Sequence, residues 1–288
     1  MRKLLYFLLI VLFLGLIGTL LVGGSLAAPR MHSIGEPPSG FSAEVVAIPG
    51  PEGALTAGWF LAGDNGKPGV LLLHSVRSDR TEMIGRAKFL VEVGYSVLAI
   101  DMQAHGETQG EQITFGYKES SNVRVAANFL KTKVNGRKVG VIGVSLGGAA
   151  SLLGKSPVEA DAVVLEAVYS TIQNAVKNRI SIRLGSLGGY LAPLLTCQIG
   201  PRLGVPVEAL SPLTAIGKLN APVMVIAGTE DRHTQQEESL RLFEEAREPK
   251  QLWLIEGAKH QDFHSFVGEE YEKRVLKFLR QYLEVSNA

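Results

Sequence analysis

VGVIGVSLGGAA, residues 139–150, decides the reading of this chain. Lys138–Ile142 is a short apolar run of strand character, and Leu146–Leu153 carries the small side chains of a tightly packed helix. Between them stands Gly143-Val144-Ser145-Leu146-Gly147, a G-x-S-x-G pattern. A strand that turns sharply into a helix brings neighbouring backbones too close for Cβ atoms, so the turn needs glycines. The same bend leaves the Ser145 hydroxyl exposed at its apex. Without that context, Ser145 would read only as a helix N-cap.

Outward from this turn, short apolar runs alternate with helical periods. Strands are predicted at Ala43–Ile48, Leu55–Ala62, Val70–Leu73, Tyr95–Ile100, Ala162–Glu166, Pro222–Ala227 and Gln251–Ile255. Helices are predicted at Arg80–Val93, Tyr117–Lys131, Gln235–Ala246 and Phe266–Tyr282. Continuous apolar strands alternating with helices imply an α/β fold with a mostly parallel central sheet covered on both faces. From Tyr169 to Pro212 the strand rhythm stops, and Leu184–Pro206 holds a single charge, Arg202. This insertion, about 169–212, reads as a helical lid over the carboxyl edge of the sheet, where open α/β sheets bind ligands. Its Tyr190, Leu191, Leu194 and Leu195 suggest an apolar acyl or aryl group on the substrate.

The domain with its lid is expected over 43–288, preceded by a Pro/Gly linker at 29–42. Residues 1–28 read as an N-terminal membrane anchor or signal. Leu4–Val22 is 19 residues without a charge after Arg2 and Lys3, long enough for one transmembrane helix. The expected placement is membrane-anchored with the catalytic domain extracytoplasmic. Cleavage near Ser25-Leu26-Ala27-Ala28 would make the protein secreted or periplasmic instead.

The 29 Lys and Arg balance 28 Asp and Glu, with no basic block, so the chain lacks the electrostatic footprint of a nucleic-acid binder. A single cysteine, Cys197, excludes an intrachain disulfide and a Cys-based zinc site. No metal constellation stands out, and no cofactor is implied.

A serine hydroxyl is a poor nucleophile until a base takes its proton and a carboxylate orients that base. His260 lies in Ile255-Glu256-Gly257-Ala258-Lys259-His260, directly after the last strand, and Asp231 lies in Gly228-Thr229-Glu230-Asp231, just past another strand end. Both are therefore expected on the edge that carries Ser145. Serine, acid and histidine in that chain order are the order of G-x-S-x-G hydrolases. Glu230 is the rival acid and His264 the rival base. His74, at a strand end, reads as a loop-fixing histidine. His105, four residues after Asp101, reads with it as a turn-stabilising pair. His233 reads as a loop residue and His32 as a linker residue.

Over roughly residues 43–283 the sequence resembles the α/β-hydrolase superfamily. The likeness rests on Leu71-Leu72-Leu73-His74, Asp101…His105-Gly106, the turn around Ser145, Gly228…Asp231 and Gly257…His260, which fall in the family's order. Ser211-Pro212-Leu213…Leu219…Ala221-Pro222-Val223 resembles the family's approach to its acid-bearing strand. The branch is the one that groups dienelactone-hydrolase-like, prolyl-oligopeptidase-like and Bem46-like enzymes. The resemblance implies a serine hydrolase of small-molecule carboxylic esters, with the backbone N–H groups of Leu146 and Val76 as oxyanion hole. Two departures from the family pattern stand in this chain, His74-Ser75 in place of His-Gly and Gln103-Ala104 in place of Arg-Gly. The same triad would serve a peptidase or thioesterase, and the same fold could be a silent interaction module.

Overall fold

Eight strands form the central sheet of the computed structural model, which describes residues 2–284. Chain order is β1 (Arg30–Met31), β2 (Glu44–Pro49), β3 (Leu55–Leu61), β4 (Gly69–Leu73), β5 (Ser96–Ile100), β6 (His105–Gly106), β7 (Val139–Val144), β8 (Ala162–Glu166), β9 (Val223–Gly228) and β10 (Lys250–Ile255). The main sheet runs β10-β9-β8-β7-β4-β5-β3-β2, and β1 pairs separately with β6. Strands β4, β5, β7, β8, β9 and β10 are parallel, whereas β3 is antiparallel to both β5 and β2.

The helices are α1 (Arg2–Ala27), α2 (Ile84–Glu92), α3 (Glu119–Lys133), α4 (Leu146–Leu152), α5 (Ile172–Leu184), α6 (Leu187–Thr196), α7 (Ile199–Leu203), α8 (Pro212–Ile216), α9 (Gln236–Glu245), α10 (Phe263–Val267) and α11 (Glu269–Leu279). Alternating strand residues feed two cores, because successive side chains point to opposite faces. Leu71 and Leu73 pack with Val123, Ala126 and Leu130 of α3 and Leu242 of α9. Val70 and Leu72 pack on the other face with Ala87 and Leu90 of α2 and Val275 and Phe278 of α11. Burial of the parallel strands on both faces explains their uninterrupted apolar sequences.

Two predicted helices are divided. Arg80–Val93 opens as a 3-10 turn, Arg80–Met83, capped by Asp79, before α2 begins. The last helix breaks at Gly268, whose φ of 50° ends α10 and starts α11. The stretch read as a linker is stitched to the body. Arg30 N–H donates to the Ala104 carbonyl and His32 N–H to that of Gly106, while Ile34 and Gly35 N–H donate to the Glu107 carboxylate.

The expected transmembrane helix is overturned. Among the described residues, no helix is long and apolar enough to cross a membrane. The last turns of α1 are instead committed to the protein. Arg202 Nη2 donates to the Leu20 carbonyl at 2.9 Å, Arg77 Nη1 to the Ser25 carbonyl at 2.9 Å, and Ile113 N–H to the Ala27 carbonyl at 2.9 Å. A guanidinium thus meets the backbone inside the Leu4–Val22 run that was read as one span. The membrane-anchored, extracytoplasmic placement rested on that span and falls with it.

Candidate active site

Ser145 occupies the turn between β7 and α4, with φ 47° and ψ −101°. This is a sparsely populated conformation for a non-glycine residue, with a cost on the order of 1–3 kcal/mol. Hydrogen bonds on both sides hold it there. Ser145 N–H donates to the Glu166 carbonyl at the end of β8, and the Ser145 carbonyl accepts from Ala149 N–H. A Cβ on Gly143 would sit 2.5 Å from the Gly148 nitrogen, and one on Gly147 would sit 2.5 Å from the Leu73 oxygen. Both glycines are therefore required by close backbone approach, as the sequence pattern predicts.

The three strand ends are in register. Val144 pairs with Glu166, Glu166 with Ile226, and Gly228 with Ile255. Ser145, Asp231 and His260 follow β7, β9 and β10 at their carboxyl ends, so all three lie on one rim. His260 Nδ1 and Asp231 Oδ2 are 2.7 Å apart. The other carboxylate oxygen, Oδ1, accepts from His233 N–H at 2.7 Å and Thr234 N–H at 2.9 Å, which fixes the acid on its own loop. Asp231 is buried and the imidazole is 21% exposed, so the pair has a dry side and an open side. The Ser145 hydroxyl makes no hydrogen bond to His260 among the described residues. Such bonds are often long until substrate arrives.

Leu146 is the first residue of α4 and belongs to one hydrophobic core; Val76 lies in the loop after β4 and packs against that same core. The Val76 loop is built by His74 and Glu82. His74 Nδ1 donates to the Ser75 carbonyl at 2.7 Å, His74 Nε2 accepts from Met102 N–H at 3.0 Å, and the Glu82 carboxylate accepts from both Ser75 N–H and Ser75 Oγ. Burial pushes the His74 imidazole down to about 4. It is a neutral loop-fixing residue, as its position at a strand end predicts.

The rival groups are spent elsewhere. His264 Nε2 is 2.9 Å from Glu272, and its ring packs against Phe89 and Tyr271. Glu230 makes no bond to His260 among the described residues; it lines a cavity of about 290 Å³ with Asn178, Ser181, Ile182, Arg232 and its neighbour Asp231. His32 faces Asp79. The expected Asp101–His105 pair does not form, because Asp101 accepts from Arg80 through side chain and backbone and from Glu107 N–H. His105 is buried, bonded through Nδ1 to the Gln103 carbonyl and set edge-on to His74. Burial and then the neighbouring His74 hold it at about 4.

Several contacts beside the site were not foreseen from the sequence. His233 lies 5.0 Å from the His260 ring, held below the ordinary imidazole range by burial, by His260 and by Arg179. Asn178 Nδ2 of α5 donates to the His233 carbonyl and to Glu238, pinning the insertion to the acid loop. Tyr190 of α6 is 82% exposed and Leu194 is exposed as well, so these side chains turn toward solvent. Arg86 of α2 and Glu166 are both fully buried and paired. The signal for that pair was present: an arginine on the apolar face of a helix, and a lone carboxylate ending an otherwise apolar strand.

No family model matches the chain. Among curated proteins, YqkD of Bacillus subtilis (strain 168) is 24% identical over 236 residues, covering 81% of this chain and 77% of that protein. Among solved structures, the Pyrococcus furiosus esterase Pf2001 superposes with a TM-score of 0.73 at 23% identity, covering 90% of this chain and 98% of its own. The α/β hydrolase GrgF from Penicillium sp. sh18 superposes with a TM-score of 0.64 at 20% identity, covering 84% and 99%. The chain has the α/β-hydrolase fold, as its motifs suggested.

Proposed function

We propose that the protein is a serine hydrolase that cleaves small-molecule carboxylic esters through an acyl-enzyme. The observation that supports this most directly is the His260–Asp231 hydrogen bond of 2.7 Å, on the same rim as a strained, glycine-flanked Ser145. Asp231 holds Nδ1 of the ring, which leaves Nε2 to act as the base. Ser145 Oγ attacks the ester carbonyl while His260 Nε2 takes its proton. The tetrahedral oxyanion accepts from the N–H groups of Leu146 and Val76, each such donor lowering the barrier by about 3–4 kcal/mol. The intermediate collapses, and His260 returns the proton to the departing alcohol. Water, deprotonated by His260, then attacks the acyl carbonyl, releasing the carboxylic acid and restoring the Ser145 hydroxyl. That Pf2001 is an esterase on the same fold supports the ester bond as the target.

The test is labelling by a fluorophosphonate together with 4-nitrophenyl ester turnover. Wild type is expected to take up one probe and Ser145→Ala none, with turnover lost in Ser145→Ala and His260→Ala. A folded wild-type protein that neither labels nor turns over any ester would refute the proposal.

A further inference from the structure

The loop that carries His260 is anchored at two points. Upstream, Gly257 N–H donates to Thr229 Oγ1 at 2.9 Å and the Ala258 carbonyl accepts from Glu230 N–H at 2.9 Å. Lys259, His260 and Gln261 make no backbone hydrogen bonds among the described residues. The next anchor is the Asp262 side chain. Its Oδ1 accepts from Arg86 Nη2 at 2.8 Å and from His264 N–H at 3.0 Å, and its Oδ2 accepts from Ser265 Oγ at 2.8 Å.

Arg86 does not hold Asp262 alone. Its Nη2 donates to Glu166 Oε2 at 2.7 Å, and its Nε donates to Glu166 Oε1 at 3.2 Å and Tyr271 Oη at 3.1 Å. Tyr271 Oη in turn donates to Glu166 Oε1. Glu166 is the residue whose backbone carbonyl accepts from Ser145 N–H at 2.8 Å. One planar guanidinium therefore ties the residue that supports the nucleophile's backbone to the residue two places after the base. A fork of fixed geometry is suited to hold two carboxylates at a set separation, which an ammonium cannot do.

We infer that Arg86 and Asp262 are positioning residues that set the reach of His260 toward Ser145, and this inference rests on His260 being the base. Breaking the strap frees the Lys259–Gln261 segment at its downstream end while leaving Glu166 paired to Arg86, so the protein keeps its buried ion pair. An outer support of this kind acts on the acyl-transfer rate and not on substrate capture.

The experiment compares Asp262→Ser with Asp262→Asn in the full chain. Serine still caps α10 at His264 N–H but is too short to reach Arg86. Asparagine keeps an acceptor for both. Asp262→Ser is expected to lower kcat for a 4-nitrophenyl ester, and the fluorophosphonate labelling rate, about tenfold, with KM within about twofold. Asp262→Asn is expected to recover most of that loss. Glu272→Ala, which removes the His264 contact on the neighbouring helix, is expected to lower Tm and leave kcat unchanged. A folded Asp262→Ser protein with wild-type kcat and labelling rate, or one altered only in KM, overturns the positioning role. Wild-type protein with no Ser145-dependent labelling overturns the catalytic reading itself, and the positioning role with it.

Discussion

Two constellations of histidine and carboxylate stand above the same sheet, and only one of them joins its carboxylate to an imidazole. Beyond β9 and β10, Asp231 gives one oxygen to His260 and the other to two amides, and the ring keeps an open side. Beyond β4 and β5, Asp101 is spent on Arg80 and backbone, and His74 and His105 lie edge to edge in full burial. The residue types are the same. What differs is whether the carboxylate is left for the imidazole, and whether the imidazole is left for a substrate. An arginine beside an acid removes it from acid–base work, because the pair is already satisfied.

The largest expected effect separates the two histidines directly. His260→Ala is expected to lower ester turnover by about 10⁴-fold or more, whereas His105→Asn keeps kcat within a few-fold. Steady-state kinetics on both folded variants checks this, and equal losses would mean that the wrong imidazole was chosen. The two acids are expected to diverge next. Asp231→Asn should cost turnover with little change in stability, while Asp101→Ala, which strips the buried Arg80 of a partner, should cost about 3–5 kcal/mol in urea unfolding. A stable, fully active Asp101→Ala protein would dissolve the contrast.

A smaller effect concerns pH. The folded chain holds His74 and His105 neutral down to about 4, whereas the ordinary imidazole value is 6.5. The unfolded chain therefore binds more protons than the folded one between these values. Stability therefore falls as pH drops from about 6.5 toward about 4, as the unfolded chain takes up protons that these two buried rings refuse. His105→Asn, which keeps a donor for the Gln103 carbonyl, should flatten the dependence by one ring's share in unfolding measured at pH 7 and pH 5. The smallest effect is at the exposed pair of Lys133 and Glu44, where Glu44→Gln is expected to cost less than about 1 kcal/mol by the same measurement.

The strands of the main sheet and the turn at Ser145 were legible because their signals are local: short apolar runs, and glycines at Gly143 and Gly147 where backbones touch. The edge positions of Asp231 and His260 were legible because each follows a strand directly in sequence. Of the Arg86–Glu166–Asp262 strap only the separate signals of Arg86 and Glu166 were legible; their joining with Asp262 was not, since the partners lie 80 residues and more apart and no periodicity links them. The Asp101–His105 reading failed for the same reason, because the competing partner, Arg80, comes from another loop. At the N-terminus the apolar run outweighed everything else. The arginines that reach its backbone, Arg77 and Arg202, belong to distant parts of the chain and left no mark in its own composition.

The left-handed backbone at Ser145 carries a further consequence. A φ of 47° is a position that the fold would yield more readily to glycine than to any residue with a side chain. Selection for heat resistance alone would erode this hydroxyl, and selection for turnover alone would keep it at a thermodynamic disadvantage. The most reactive atom proposed for this protein therefore sits where durability and activity pull against each other.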